Sequence, residues 1–281
     1  GAFSLTHDEI EAKAREAVRQ DRVTELHIVG GLNPSHSLDW YENLLSRLRS
    51  AVPGVHLKCF TAVEIHYFAK KSGLTPEAVL SRLKDAGLNS LPGGGAEIFH
   101  PDVRKRLCPD KADAEEWGTV HRAAHRLGMK TTATMLYGHI ETYAQRVDHL
   151  RRLREWQDET GGFQCFVPLS YHRDRPGMPE PSFRGGAEDL RNFAVSRLYL
   201  DNFPHLKAYW IMLGLSLSQI ALSFGVDDMD GTVMEERIFH MTGAETPESL
   251  TGRELEDLVR SAGRVPVERD SLYREVRSAA R

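Results

Sequence analysis

Along the chain, stretches in which apolar residues recur every three to four positions alternate with short runs that are apolar at every second position or continuously. The first pattern predicts helices at about 6–19, 37–49, 62–71, 75–86, 114–127, 143–158, 187–200 and 216–224. The second predicts strands at 25–29, 55–61, 88–91, 130–136, 163–169, 206–213 and 226–231. Punctuation supports these limits. Thr6 with Glu9 reads as a capping box, Thr75-Pro76 as a helix start, and Gly87, Gly128 and Gly161-Gly162 as helix stops. Two shorter helices and a Val265-Pro266-Val267 segment are expected to finish the chain.

A helix followed by strands and helices in alternation, at about 30 residues per unit, is the rhythm of a parallel α/β fold. Polar or Gly-rich residues follow nearly every strand: Gly30-Gly31, Thr61 with Glu64, and the segments 93–97, 137–141, 168–172 and 227–230. Ligand chemistry in a (β/α)8 TIM-type barrel gathers at that rim. A Rossmann sheet is disfavoured, because no GxGxxG follows the first strand. The seven strands leave such a barrel one short with two unpaired edges. A further strand and its loop are therefore expected ahead of residue 1. Residues 1–240 read as this barrel core, and 241–281 as a helical extension packed on it.

Composition narrows the picture modestly. With 281 residues the chain can bury a large core, and 41% apolar with 27% charged residues is ordinary for a globular protein. A net charge of −4 gives no basic surface for nucleic acid. No apolar run approaches the roughly 20 residues of a membrane span, so a cytoplasmic setting is the default expectation. Cys59, Cys108 and Cys165 are too scattered for a disulfide framework and read as buried thiols.

The most suggestive stretch is LPGGGAEIFH (91–100). Consecutive glycines allow positive φ and close approach of backbone to a ligand. Glu97 sits among apolar neighbours, poised to accept hydrogen bonds from polar groups such as ribose hydroxyls. A Gly-rich turn with a carboxylate capping the next segment explains the same letters.

Several long strings carry a resemblance: HIVGGLNPSHSLDWY (27–41), KCFTAVEIHYFAKKSG (58–73), LPGGGAEIFHPDVRKR (91–106), TTATMLYGHIET (131–142), LREWQDETGGFQCFVPLSYH (153–172), RLYLDNFPHLKAYW (197–210) and DDMDGTVMEERIFH (227–240). Together they resemble the radical S-adenosylmethionine enzymes of the futalosine menaquinone pathway, over nearly the whole chain. The LPGGGAEIFHPDVR and FVPLSYH wording fits the aminodeoxyfutalosine synthase branch better than the cyclase or deazaflavin-forming siblings. That resemblance implies a [4Fe–4S] cluster, S-adenosylmethionine as co-substrate, and an electron donor such as flavodoxin or ferredoxin. It further implies addition of the 5′-deoxyadenosyl radical to 3-[(1-carboxyvinyl)oxy]benzoate, with loss of the carboxylate. The family's CxxxCxxC motif has no match here, and its place is expected just before residue 1, together with the missing strand.

By position, the resemblance implies that Gly30 and Gly31 receive the methionine amino group and that Glu97 takes the ribose. It also implies that Tyr137, His139 and Glu141 belong to a segment lining the adenine, with Val167 and Pro168 offering backbone to it. Glu141 capping the next helix is an equal alternative. A doubly carboxylated substrate needs donors, for which His66, His172 and Arg173 are candidates, with Glu64 and Asp228 as pocket acids. Two further classes stand beside this reading. A Schiff-base aldolase would need Lys58 or Lys207, which lie within strands, and a cluster-free barrel would bind without catalysing.

Overall fold

The structure is a computed structural model describing residues 4–20, 23–171, 185–233 and 249–277. Its elements run α1 His7–Gln20, β1 Glu25–Ile28, α2 Leu38–Ala51, β2 His56–Cys59, α3 Ala62–Ser72, α4 Pro76–Ala86, β3 Ser90–Leu91, α5 Pro101–Leu107 and α6 Ala114–Arg126. They continue β4 Lys130–Tyr137, α7 Tyr143–Thr160, β5 Phe163–Ser170, α8 Gly186–Tyr199, β6 His205–Ala208, α9 Trp210–Leu213, α10 Leu215–Ala221 and β7 Asp228–Met229. The last are α11 Gly252–Ser261, β8 Glu268–Arg269 and β9 Glu275–Arg277.

Strands β1 to β7 form one sheet in sequence order, and every neighbouring pair is parallel. Each crossover is helical, as parallel pairing requires. The sheet is curled into an open barrel of the expected TIM type. Its curl brings the two ends within electrostatic reach, since Asp230 beyond β7 senses Lys58 on β2. Alternation along the strands gives the sheet two unlike faces. Leu57, Leu91, Met135 and Phe166 are buried on the outer face in a core shared with Leu45, Leu80 and Val120 of the helices. Each such side chain contributes about 1.5–3 kcal/mol relative to exposure.

The caps read from sequence are present: Thr6 and Glu9 bond reciprocally at α1, Thr75 caps α4 ahead of Pro76, and Gly87 and Gly161 end α4 and α7. The structure adds capping boxes that the sequence reading did not name, Thr61 with Glu64 at α3, Asp113 with Glu116 at α6 and Thr142 with Gln145 at α7.

Two expectations change. The run 206–213 is not one strand: β6 ends at Ala208, and Trp210–Leu213 is the short helix α9. β6 pairs with β7 only through Lys207 and Ala208, so nothing holds the later residues extended. Among the described residues, the chain after 248 is also not purely helical. β8 and β9 form an antiparallel ribbon, joined through Asp270 and Tyr273. This ribbon crosses the lower, N-terminal end of the barrel. Gln164 at the start of β5 donates to Ser271 O (2.9 Å), and His205 at the start of β6 stacks on Tyr273 with ring centroids 3.7 Å apart.

A candidate ligand site at the C-terminal rim of an open barrel

Three turns build the rim. The first follows β1. Gly30 N–H donates to Glu64 Oε1 (2.9 Å), while Glu64 Oε2 accepts from Thr61 N–H (2.7 Å) and Thr61 Oγ1–H (2.9 Å). Glu64 is buried, and burial pushes its pKa up to about 7 against the pull of these three donors. One carboxylate thus ties the end of β1 to the start of α3. It is a positioning group with both oxygens engaged, rather than an acid facing a substrate. Neither Gly30 nor Gly31 has a positive φ, and a Cβ on Gly31 would meet nothing within 4 Å. The chain's own packing therefore does not demand glycine there.

The second turn, 93–97, does demand it. A Cβ on Gly93 would lie 2.7 Å from the Ala133 carbonyl carbon, and Gly95 has φ +83° against the Val63 side chain. These glycines serve close approach of protein to protein. Five successive carbonyls of the loop are then satisfied. Gly93 O accepts from Thr134 Oγ1–H (2.6 Å), Gly94 O from Trp117 Nε1–H (3.3 Å) and Glu97 O from Leu136 N–H (3.0 Å). Arg104, a buried cation, donates to Gly95 O (3.3 Å) and Ala96 O (2.6 Å). With its carbonyls engaged, the loop presents the Glu97 carboxylate to a ligand. Glu97 stands at φ +45° and pairs with Lys111 Nζ (2.6 Å), itself partly exposed. The sequence did not single out Lys111.

The third turn follows β4. Glu141 accepts from Gly138 N–H (2.6 Å), His139 N–H (2.9 Å) and Arg146 Nε–H (2.8 Å). Burial acts to raise its pKa, but the hydrogen bond and charge of His139, the Gly138 amide and Arg146 together hold it at about 2. His139 is fully buried, with Nε2 2.8 Å from Leu136 O. Glu141 therefore pins the turn, and Thr142 caps α7.

Other candidates move. Tyr137 points into the helical layer, where its hydroxyl donates to Asp189 (2.7 Å), so its ring does not line the rim. His66 sits on the helix side of α3, 3.5 Å from Glu116, because two residues along a helix turn a side chain about 200° away from Glu64. Val167 lies opposite Thr134 on the inner face, and Pro168 opposite Met135 on the outer face. Beyond Phe166 the β5–β6 ladder stops, so a proline costs no pairing on that side. Asp228 is locked by Arg269 (2.7 and 2.9 Å) and Tyr273 Oη–H (2.7 Å), which makes it an anchor for the ribbon. His172 and Arg173 lie outside the described residues, as does most of the 171–186 loop.

The inner face also holds paired charges, among them the two lysines that the sequence offered only as Schiff-base candidates. Lys58 Nζ donates to both Glu25 oxygens (2.9 and 3.0 Å), and Lys207 Nζ to Asp230 (2.9 Å). Burial would lower the Lys207 pKa, but Asp230 and Asp228 raise it, which keeps the ammonium charged. A Schiff-base lysine needs the opposite shift. A signal was present: β1, β2 and β6 read ELHI, HLKC and HLKA, each alternating polar and apolar.

The comparisons decide the family. Residues 1–153 match the Radical SAM superfamily, and residues 161–280 match the CofH/MqnC C-terminal region. The chain belongs to the radical SAM superfamily. It is 50% identical to an aminodeoxyfutalosine synthase of Thermus thermophilus over 281 residues, covering 99% of this chain and 75% of that protein. It is 48% identical to an aminodeoxyfutalosine synthase of Streptomyces coelicolor (98% of this chain, 74% of that protein). Identity is 43% to a 5-amino-6-(D-ribitylamino)uracil--L-tyrosine 4-hydroxyphenyl transferase of Methanopyrus kandleri (98% and 76%). Among solved structures it resembles methylornithine synthase, with TM-score 0.69 and 14% identity over 95% of this chain and 75% of that one. The hydrogenase maturase HydG of Carboxydothermus hydrogenoformans gives 0.66 and 12% over 98% and 62%. These two likenesses establish the fold.

The family implies a [4Fe–4S] cluster, held by thiolates. The described cysteines do not fit one. Cys59 and Cys165 are fully buried on separate strands, and burial pushes both thiols up, Cys165 to about 11. Among the described residues no three His, Cys, Asp or Glu side chains converge on a metal position, and no described helix is long and apolar enough to cross a membrane.

Proposed function

We propose that this radical SAM enzyme is an aminodeoxyfutalosine synthase. It would add the 5′-deoxyadenosyl group of S-adenosylmethionine to the enolpyruvyl double bond of 3-[(1-carboxyvinyl)oxy]benzoate, with loss of the carboxylate. The observation that carries this reading is the 50% identity to the Thermus synthase over 99% of the chain, against 43% to the Methanopyrus transferase. The rim geometry supports it. In this reading the Glu97 carboxylate exchanges Lys111 for the ribose hydroxyls, and the 30–31 carbonyls receive the methionine amino group. Val167 and Pro168 present carbonyls toward the adenine. Glu64 and Glu141 hold the turns in place and touch no substrate. A cluster, whose ligands are not among the described residues, would supply the radical chemistry, and the described residues would contribute position and exclusion of water. A flavodoxin or ferredoxin as electron donor and a cytoplasmic setting belong to the same proposal.

The test is a product assay on the anaerobically reconstituted full-length enzyme with S-adenosylmethionine and a low-potential reductant. Aminodeoxyfutalosine formed from the enolpyruvyl benzoate is the expected result. No such product, with turnover of 5-amino-6-(D-ribitylamino)uracil and L-tyrosine instead, would transfer the chain to the other branch.

A further inference from the structure

The inner face of the barrel is divided. On β3, β4 and β5, above Lys130 at the start of β4, it carries uncharged side chains, among them Ser90, Thr134 and Val167. On β1, β2, β6 and β7 it carries Glu25, Lys58, Lys207, Asp228 and, just past β7, Asp230. The turns assigned to the adenosine follow β3, β4 and β5, and the 30–31 turn assigned to the methionine lies at the rim above β1, so the lumen of the charged half below that rim is left for the second substrate. Its charges are mutually occupied: Lys58 by Glu25, Lys207 by Asp230 and, at 3.5 Å, by Asp228, and Asp228 by Arg269 and Tyr273.

His27 is the exception. It stands opposite Lys58 in the β1–β2 register and shares the inner face with Glu25, while Leu26 and Ile28 pack into the core on the other side. It is exposed to the lumen and makes no hydrogen bond to a described residue. The charges that face it are Glu25 of β1, Lys58 of β2, Lys207 of β6 and Asp230 just past β7. Burial and then the Lys58 ammonium shift its pKa downward. Solvent reaching the ring through the lumen screens part of that effect, so its direction is what matters: the imidazole is neutral. A neutral imidazole offers one N–H donor and one acceptor. His27 lies three residues before Gly30, about 10 Å along the strand, which is one substrate's length below the rim.

We propose that His27 is the side chain that contacts the second substrate, donating a hydrogen bond to a carboxylate oxygen of a dicarboxylate. This rests on the reaction proposed above and names a specificity-determining residue for it. The test uses the full-length reconstituted enzyme, its His27→Ala variant and its His27→Asn variant, which keeps a donor. Binding of 3-[(1-carboxyvinyl)oxy]benzoate in the presence of S-adenosylmethionine is measured by calorimetry, and binding of S-adenosylmethionine alone is measured separately. The expected result is benzoate binding weakened at least about tenfold in His27→Ala, since a hydrogen bond to a charged group is lost, and partly recovered in His27→Asn. S-adenosylmethionine binding should stay within about twofold of wild type in both. Unchanged benzoate binding in His27→Ala, or equal loss of both ligands, would overturn the assignment. A wild-type enzyme that binds no benzoate would overturn the proposed reaction itself, and this inference with it.

Discussion

At the scale of single residues, the Glu64 carboxylate joins two rim elements and is costly to ionise where it sits. Its pKa is about 7 in the folded chain against an ordinary 4.5. The native state therefore binds this proton more tightly than the unfolded chain does. Its contribution to stability is complete below about pH 4.5 and is lost as pH rises through about 7. A Glu64→Gln variant cannot ionise and lacks that slope. We expect the melting temperature of wild type to fall relative to that of Glu64→Gln between pH 5 and pH 8. Parallel melting profiles over that interval would mean that the Gly30 and Thr61 donors keep the carboxylate ionised throughout. The contrast with Glu141 is instructive. Both are buried glutamates with three donors, but only Glu141 has an arginine and a histidine as partners, and its pKa goes down.

At the scale of elements, the 93–97 loop is held by its glycines and its saturated carbonyls. Gly93→Ala would drive a methyl group into the β4 backbone at Ala133. Overpacking of this kind costs about 1–3 kcal/mol, so a clear drop in melting temperature is expected, whereas Gly31→Ala, in open space, should melt as wild type does. An unchanged Gly93→Ala would show that the loop can move away from β4. The same loop shows how far the sequence could be read. Its glycines, its carboxylate and its place after a strand were legible, as were the Thr6–Glu9 capping box, the Gly87 and Gly161 helix stops and the strand–helix rhythm, because each is a local pattern. Lys111, which pairs with Glu97 from 14 residues away, was not. Nor was the outward turn of His66, which depends on which face of α3 meets α6. The 206–213 run misled because its apolar stretch after Lys207 has no period, and only the two-residue length of β7 sets where β6 must stop. The polar–apolar alternation of ELHI, HLKC and HLKA was readable, but which polar groups meet across the lumen is a property of the curled sheet.

At the scale of the whole molecule, the β8–β9 ribbon makes the barrel's lower end part of its ion-pair network. Arg269 reaches Asp228 with two nitrogens, and Tyr273 adds its hydroxyl to the same carboxylate. Without Arg269, Lys207 alone would face Asp228 and Asp230, leaving the lumen a net negative charge. Removing one member of a buried pair costs of order 3 kcal/mol, because the other charge remains desolvated. Arg274, immediately before β9, pairs with Asp270 at 2.7 Å but is 73% exposed, and such a pair contributes about 0–1 kcal/mol. Arg269→Met should therefore lower the melting temperature by several degrees, while Arg274→Met should leave it nearly unchanged. Arg269→Met should also weaken binding of an anionic second substrate more than that of S-adenosylmethionine, because the added negative charge lies in the charged half of the lumen and not at the rim. Equal, small effects of the two substitutions would mean that the ribbon rests on the barrel as surface decoration and that Asp228 finds solvent instead.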